Sequence, residues 1–214
     1  MKKHLSSKRI AAAAVAALAL AGCGVTLAST GTPAAAPADP ASALYGRLLV
    51  RTELPGFIAW NCPAVQTDAR RWAQGSSAVE QLRRNGFAAG LRQTLRSDSV
   101  DADASASVAR YDSARGARSE LESEIAAARR HAHASTAFAV PGIPGAHGVT
   151  LTEAGTKRID VGFTDGRYLH VVGVVFSSSA TRQPSKAQVV AAATALYERV
   201  HEQPSPSMPL VLAR

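Results

Sequence analysis

Two cysteines, six histidines and sixteen carboxylates are the side chains here that could carry chemistry, and their spacing decides which. Cys62 follows Trp60-Asn61 and precedes Pro63 and a helical stretch at 65–73, so the start of that helix could lower the thiol toward a nucleophilic thiolate. A hydrolase built on Cys62 would also need a histidine held beside it, and no histidine stands in a companion motif. The other reading of Cys62 is a small apolar or unpaired surface residue. His131 and His133 are one residue apart, behind Arg129 and Arg130. On a helix that spacing turns the imidazoles about 200° apart, so they could share a metal only in extended chain, and the arginines repel a cation. They read instead as basic groups at a helix C-terminus. His147 and His170 are isolated, with His170 decorating a strand. Glu120, Glu122 and Glu124 read as a solvated helix face, and Asp101 and Asp103 as loop residues. There is no phosphate-binding glycine loop and no serine-nucleophile elbow. The expectation is a non-catalytic chain with no cofactor and no metal.

Cys23 stands in a different setting. Lys2, Lys3, Lys8 and Arg9 precede an apolar run from Ile10 to Ala21, and Gly22 and Cys23 follow it. Charged, then apolar, then small is the order of an export signal. The run, about 12 residues, falls well short of the ~20 that span a bilayer. Leu20-Ala21-Gly22-Cys23 resembles the lipobox of bacterial lipoproteins. That resemblance implies a diacylglyceryl thioether on the Cys23 sulfur, cleavage before Cys23, and often a further acyl chain on the freed amine. Cysteine suits the task because only a thiolate is nucleophilic enough to take the lipid at ordinary pH. Each buried methylene contributes ~0.8 kcal/mol, so two or three chains anchor permanently where one would be reversible. The expected location is the extracytoplasmic side of the cell membrane. The alternative is an ordinary secretory signal with an incidental cysteine.

Removal of residues 1–22 takes away four basic residues and no acid, which lowers the formal charge from +8 to about +4. A chain of about 190 residues carries that charge without needing a nucleic-acid partner, and export argues further against one. Beyond Lys8, lysine occurs only at Lys157 and Lys186 among many arginines, a bias of GC-rich, actinobacterial-type genomes. With Cys23 lipidated, Cys62 has no intrachain partner, and the fold must stand on its hydrophobic core.

These residues need elements to position them. Residues 23–40 are mostly Ala, Pro, Thr, Gly and Ser, which cannot bury enough apolar area to become ordered, so they read as a tether spanning roughly 20–25 Å. Residues 41–203 are sized for one domain, and Pro204, Pro206 and Pro209 make 204–214 an extended tail. Leu44, Leu48 and Leu49 predict a short helix before the Leu54-Pro55-Gly56 breaker. Further helices are expected at 65–73 and from an N-cap at Ser77 to Arg84. Phe87, Ala89, Leu91 and Leu95 alternate with polar residues, as do Ala104, Ala106 and Val108, which predicts a hairpin across 97–103. Ser113 caps a helix with Ala114, Ala117, Leu121, Glu124/Ile125 and Ala128 on one face. Strands follow at 136–140, at Val149 and Leu151, at 159–163 and at 168–176, the last two joined by a tight turn at Asp165-Gly166. Ser185-Lys186-Ala187-Gln188 is a capping box for a last helix with a Val189, Ala193, Leu196, Tyr197 and Val200 stripe. Helices covering a mainly antiparallel sheet give an α+β fold.

The element order, with Leu54-Pro55-Gly56-Phe57 at the start and an aromatic hairpin before the last helix, resembles small sensor-type or PsbP-like domains of actinobacterial envelope lipoproteins. The resemblance implies a ligand-binding or scaffold role and assigns no functional residue. The two-residue period places Arg92 and Arg96 together on the face opposite Ala89, Leu91 and Leu95, about 13 Å apart. With Arg83 and Arg84 just before them, they form a candidate surface for carboxylate or phosphate groups of an anionic envelope component. The sequence thus describes a membrane-anchored domain that binds a ligand or an envelope partner. The alternatives are a structural partner in an envelope complex and a hydrolase using Cys62.

Overall fold

A computed structural model describes residues 40–202 except 74, 98, 132 and 133. The signal at 1–22, Cys23, the tether as far as residue 39, His133 and the tail at 204–214 lie outside the described residues. The alternating segments become long strands. Phe87–Ser97 (β2) and Ala102–Tyr111 (β3) pair as the expected hairpin. Ala134–Phe138 (β4), His147–Glu153 (β5), Thr156–Asp165 (β6) and Tyr168–Ser177 (β7) form a meander. A short strand, Phe57–Ala59 (β1), completes a seven-stranded sheet in the order β1-β2-β3-β7-β6-β5-β4, with every neighbouring pair antiparallel. Five helices accompany it: Pro40–Tyr45 (α1), Ala69–Trp72 (α2), Ser76–Arg84 (α3), Ala114–His131 (α4) and Lys186–Glu202 (α5). This is the expected α+β class. β7 lies between β3 and β6, which is why nearly every residue along it is apolar.

Each face of the sheet has its own core. On one face, Leu91, Leu95, Val108, Val161, Phe163, Val172 and Val174 meet Leu44, Leu49, Leu54 and the α5 stripe of Val189, Ala193, Leu196 and Val200. On the other, Trp72, Leu82, Ala109, Tyr111, Ala117, Leu121 and Leu169 pack beneath α2, α3 and α4. Phe87 departs from its expected face. An irregularity between Phe87 and Ala89 adds one residue to β2, which flips Phe87 across the sheet to stack on Trp72 at 5.7 Å and to meet Tyr111 edge-on at 6.0 Å.

The helix ends show which local signals governed. Ser113 caps α4, its Oγ accepting from the Gly116 N–H at 3.0 Å. Ser185 and Gln188 form the reciprocal capping box, with bonds of 2.8 and 3.1 Å. The helix expected through Leu49 stops at Tyr45, because the Gly46 and Leu48 carbonyls instead accept from the Arg199 guanidinium of α5. Glu53 completes that clamp, 2.7 Å from Arg199 Nε. The stretch expected at 65–73 keeps only one turn, Ala69–Trp72, capped by Asp68, because Gln66 bridges Gly90 on β2. α3 starts at Ser76 behind Gly75, so Ser77 lies within it and caps nothing. The tight turn after β6 is Gly166-Arg167, since Asp165 pairs with Tyr168 as the last strand residue. Only Gly166 takes a positive φ there, 56°, as the first loop position of a type II′ turn requires.

Candidate functional site

Arg92 and Arg96 stand on one face of β2, as their spacing requires, and both are exposed. Each lies over a tryptophan: Arg92 is 4.7 Å from the Trp72 ring centroid and Arg96 is 4.8 Å from that of Trp60. Trp72 lies flat against the sheet because residue 90 is glycine; a Cβ there would come within 2.6 Å of the ring. Trp60 is held at the sheet edge by backbone: its N–H donates to the Thr94 carbonyl at 2.8 Å, and the Asn61 Oδ1 accepts from the Thr94 N–H at 2.7 Å. The Trp60 side chain is 64% exposed.

The register assembles a wider row around Arg96. Ile58 of β1 pairs with Arg96, Arg96 with Asp103 of β3, Asp103 with Val175 of β7, and Val175 with Arg158 of β6. Partners in an antiparallel ladder share a face, so these five side chains cross five strands, about 19 Å at the usual strand spacing. All five are exposed, Ile58 and Val175 each to 38%. Row and flanks are balanced in charge. Arg96 Nε lies 3.6 Å from Asp103, and Arg158 Nε lies 2.8 Å from the Asp160 carboxylate, which occupies space that a side chain at residue 173 would fill. Asp160 is buried, and dehydration holds its carboxyl above the ordinary range, with Arg158 pulling it back. Glu124 of α4 is the third acid. Dehydration raises its carboxyl, as do Glu120 and Asp160, while Arg92 and Arg158 act in the opposite sense. Protein crowds Glu124, yet the residue stays solvent-exposed, so water screens part of that dehydration. Three arginines therefore face three acids on this part of the sheet.

The other candidate residues are placed elsewhere. Cys62 is exposed, and α2 begins only at Ala69 with its own Asp68 cap, so Cys62 does not sit at a helix N-terminus. No hydrogen bond joins Cys62 to a histidine among the described residues. His131 ends α4, at the helix C-terminus as expected. Among the described residues no cluster of three or more His, Cys, Asp or Glu could hold a metal. His147 is an exposed residue of β5. His170 is wholly buried, stacked on Phe163 at 4.8 Å, and is thus a core residue. Glu120 corrects the expectation of a solvated helix face: it is 3% exposed and accepts from Gln81 Nε2 at 3.0 Å and Asn85 Nδ2 at 2.7 Å. Arg83 and Arg84 lie in the last turn of α3, Arg83 beside Glu80 at 3.2 Å.

No protein-family model matches the sequence, and no curated protein matches it. Among solved structures the fold has a counterpart. It is similar to the extracellular domain of PknH from Mycobacterium tuberculosis. The TM-score is 0.51 at 15% identity, over 75% of this chain and 95% of that one. At that identity the likeness shows the fold alone. Of the expected resemblance to small sensor-type or PsbP-like domains of actinobacterial envelope lipoproteins, the comparison reaches only the likeness in fold to an extracellular domain, that of PknH.

Ile58, Trp60, Val175, Arg158 and Asp160 were not singled out by sequence. Ile58 and Arg158 are a hundred residues apart in the chain, and only strand pairing brings them into one row. No sequence signal marked Val175, because β7 is apolar along nearly its whole length.

Proposed function

We propose that this chain is a membrane-anchored, extracytoplasmic lipoprotein, attached through lipid on Cys23, whose folded domain is a non-catalytic interaction module. The observation that carries the reading is the exposed row Ile58, Arg96, Asp103, Val175 and Arg158, flanked by Trp60 and Arg92. Exposed apolar residues and an edge tryptophan beside alternating charges are the composition of a recognition patch, with aromatic and arginine anchors. Balanced charge decides between partners. A polyanion gains little from three arginines that already face three acids, whereas a protein with its own alternating charges can match them one by one. An envelope protein is therefore favoured over an anionic polymer on this face. The likeness to an extracellular domain supports the location.

The test is photocrosslinking in cells from a photoreactive residue placed at Val175 in the full-length chain, with Arg182 as a control position. The reading expects a discrete protein adduct from 175 that disappears on Arg96→Glu/Arg158→Glu with the domain still folded. Crosslinking to lipid or glycan alone, or a protein adduct indifferent to charge reversal, rejects it.

A further inference from the structure

Beyond Lys8 the chain uses lysine twice, at Lys157 and Lys186, and the fold brings both to the rim of one depression of about 340 Å³. Its other lining residues are Ala134, Thr136, Thr150 and Thr152. The site lies on the α5 side of the sheet, opposite the arginine row. Lys157, Thr152 and Ala134 form one rung across β6, β5 and β4, and Ile159, Thr150 and Thr136 form the next. Ile159 belongs to the α5-side core, which fixes the face. Rungs two residues apart are ~7 Å apart and neighbouring strands ~4.8 Å, so three hydroxyls and one ammonium fall within a patch about 10 Å across. The second ammonium arrives from the first residue of α5, where Lys186 Nζ sits 4.7 Å over the Phe138 ring. Phe138 itself closes over Gly148, where any side chain would collide with the ring.

Among the described residues no carboxylate pairs with this charge. Neither Lys157 nor Lys186 forms an ion pair among the described residues, although Lys157 is half-buried. The arginines of the opposite face show the contrast, since Arg96 and Arg158 each lie beside an acid. Two compact point charges with three hydroxyl donors suit an anion that offers several oxygens in three dimensions. A planar carboxylate is better served by the guanidinium fork, which this chain has in abundance and does not place here. We infer that the Lys157–Lys186 depression binds a phosphoryl group, carried by an anionic lipid headgroup or by a phosphorylated envelope polymer. The inference is independent of the protein-partner surface on the other face.

The full chain in nonionic detergent is titrated calorimetrically with inorganic phosphate, glycerol 3-phosphate, a glycerol-phosphate polymer and dihexanoyl phosphatidylglycerol, with acetate at matched ionic strength as control. Saturable binding of the phosphate probes, absent with acetate and weakened about tenfold or more by Lys186→Gln and by Lys157→Gln, is the expected result. A preference for the polymer or for the phospholipid identifies the source. Arg96→Glu/Arg158→Glu should leave this binding unchanged, so its fate separates from that of the partner surface. If Lys157→Gln fails to fold, the exposed Lys186 decides alone. Binding that survives Lys186→Gln at full strength, or heats that follow ionic strength only, overturns the inference.

Discussion

His170 shows how far a single residue can set the chain's response to pH. It is fully buried, and neither ring nitrogen has a hydrogen-bond partner; the Arg47 backbone approaches the ring without meeting hydrogen-bond geometry. Burial pushes the imidazole down to about 3, with the Arg47 and Arg199 charges acting in the same direction and Asp165 against them. The folded chain therefore holds His170 neutral, while the unfolded chain protonates it near 6.5. Between those values the unfolded state binds the extra proton, so this contribution is complete above about pH 6.5 and is lost progressively as pH falls toward 3. At pH 5 the loss is about 2 kcal/mol, from ~1.4 kcal/mol per unit of displacement. His170→Phe keeps a ring against Phe163 and removes the proton site. Urea unfolding should then show the variant gaining about 2 kcal/mol relative to the parent between pH 7.5 and pH 5. Because only the difference is read, the raised carboxyls of Glu120 and Asp160 cancel. A difference that stays flat over that range would show that His170 takes up its proton in the fold as readily as in the unfolded chain. The sequence marked this histidine only as a residue on a strand, since burial on β7 comes from α5 and the Arg47 segment, which no local pattern reports.

At the scale of elements, what was legible was what neighbouring residues enforce. Ser113 and the Ser185–Gln188 box placed two helix starts because a cap is settled within one turn. Alternation placed β2, β3 and β6, and a nearly continuous apolar run placed β7. Where distant groups competed, the local reading failed: Arg199 shortened α1, Gln66 bridging Gly90 shortened the next helix, and one extra residue in β2 reversed Phe87. The β5–β6 turn is another such case. Glu153 pairs with Thr156, leaving the two-residue loop Ala154-Gly155 with φ of 30° and 89°, both positive as a type I′ turn demands. No Asn-Gly or Asp-Gly pair announced it. Alanine in the left-handed region costs about 1 kcal/mol, which asparagine largely avoids. Ala154→Asn should therefore raise stability by about 0.5–1 kcal/mol, visible as a higher urea midpoint at unchanged slope. At the companion hairpin the sign reverses. Gly166→Val puts a β-branched residue at φ 56° and should cost more than about 1 kcal/mol. A neutral Gly166→Val would mean that the β6–β7 turn takes another conformation.

At the scale of the whole molecule, the sheet separates two chemistries, balanced charge with tryptophan and isoleucine on one side and unanswered lysines on the other, and anchoring must leave both usable. Among the described residues no helix is long and apolar enough to cross a membrane; the proposed attachment is the lipid on Cys23. Neither core includes any described residue before Leu44. Roughly twenty residues separate Cys23 from Leu44, the first described core side chain. Two or three acyl chains contribute ~0.8 kcal/mol per methylene, far more than a protein surface contact needs for retention. Cys23→Ala should abolish the acylated N-terminal peptide by mass spectrometry and leave either uncleaved precursor or lipid-free protein. The thermal midpoint of the domain is the second readout: an unchanged value means that acylation adds nothing to the stability of the fold. The wild-type chain is the decisive control. An unmodified Cys23 in its mature N-terminal peptide would remove the anchor from the proposal and leave only the extracytoplasmic fold, whereas a Cys23→Ala variant that also melts early would show that the N-terminal segment packs on the domain.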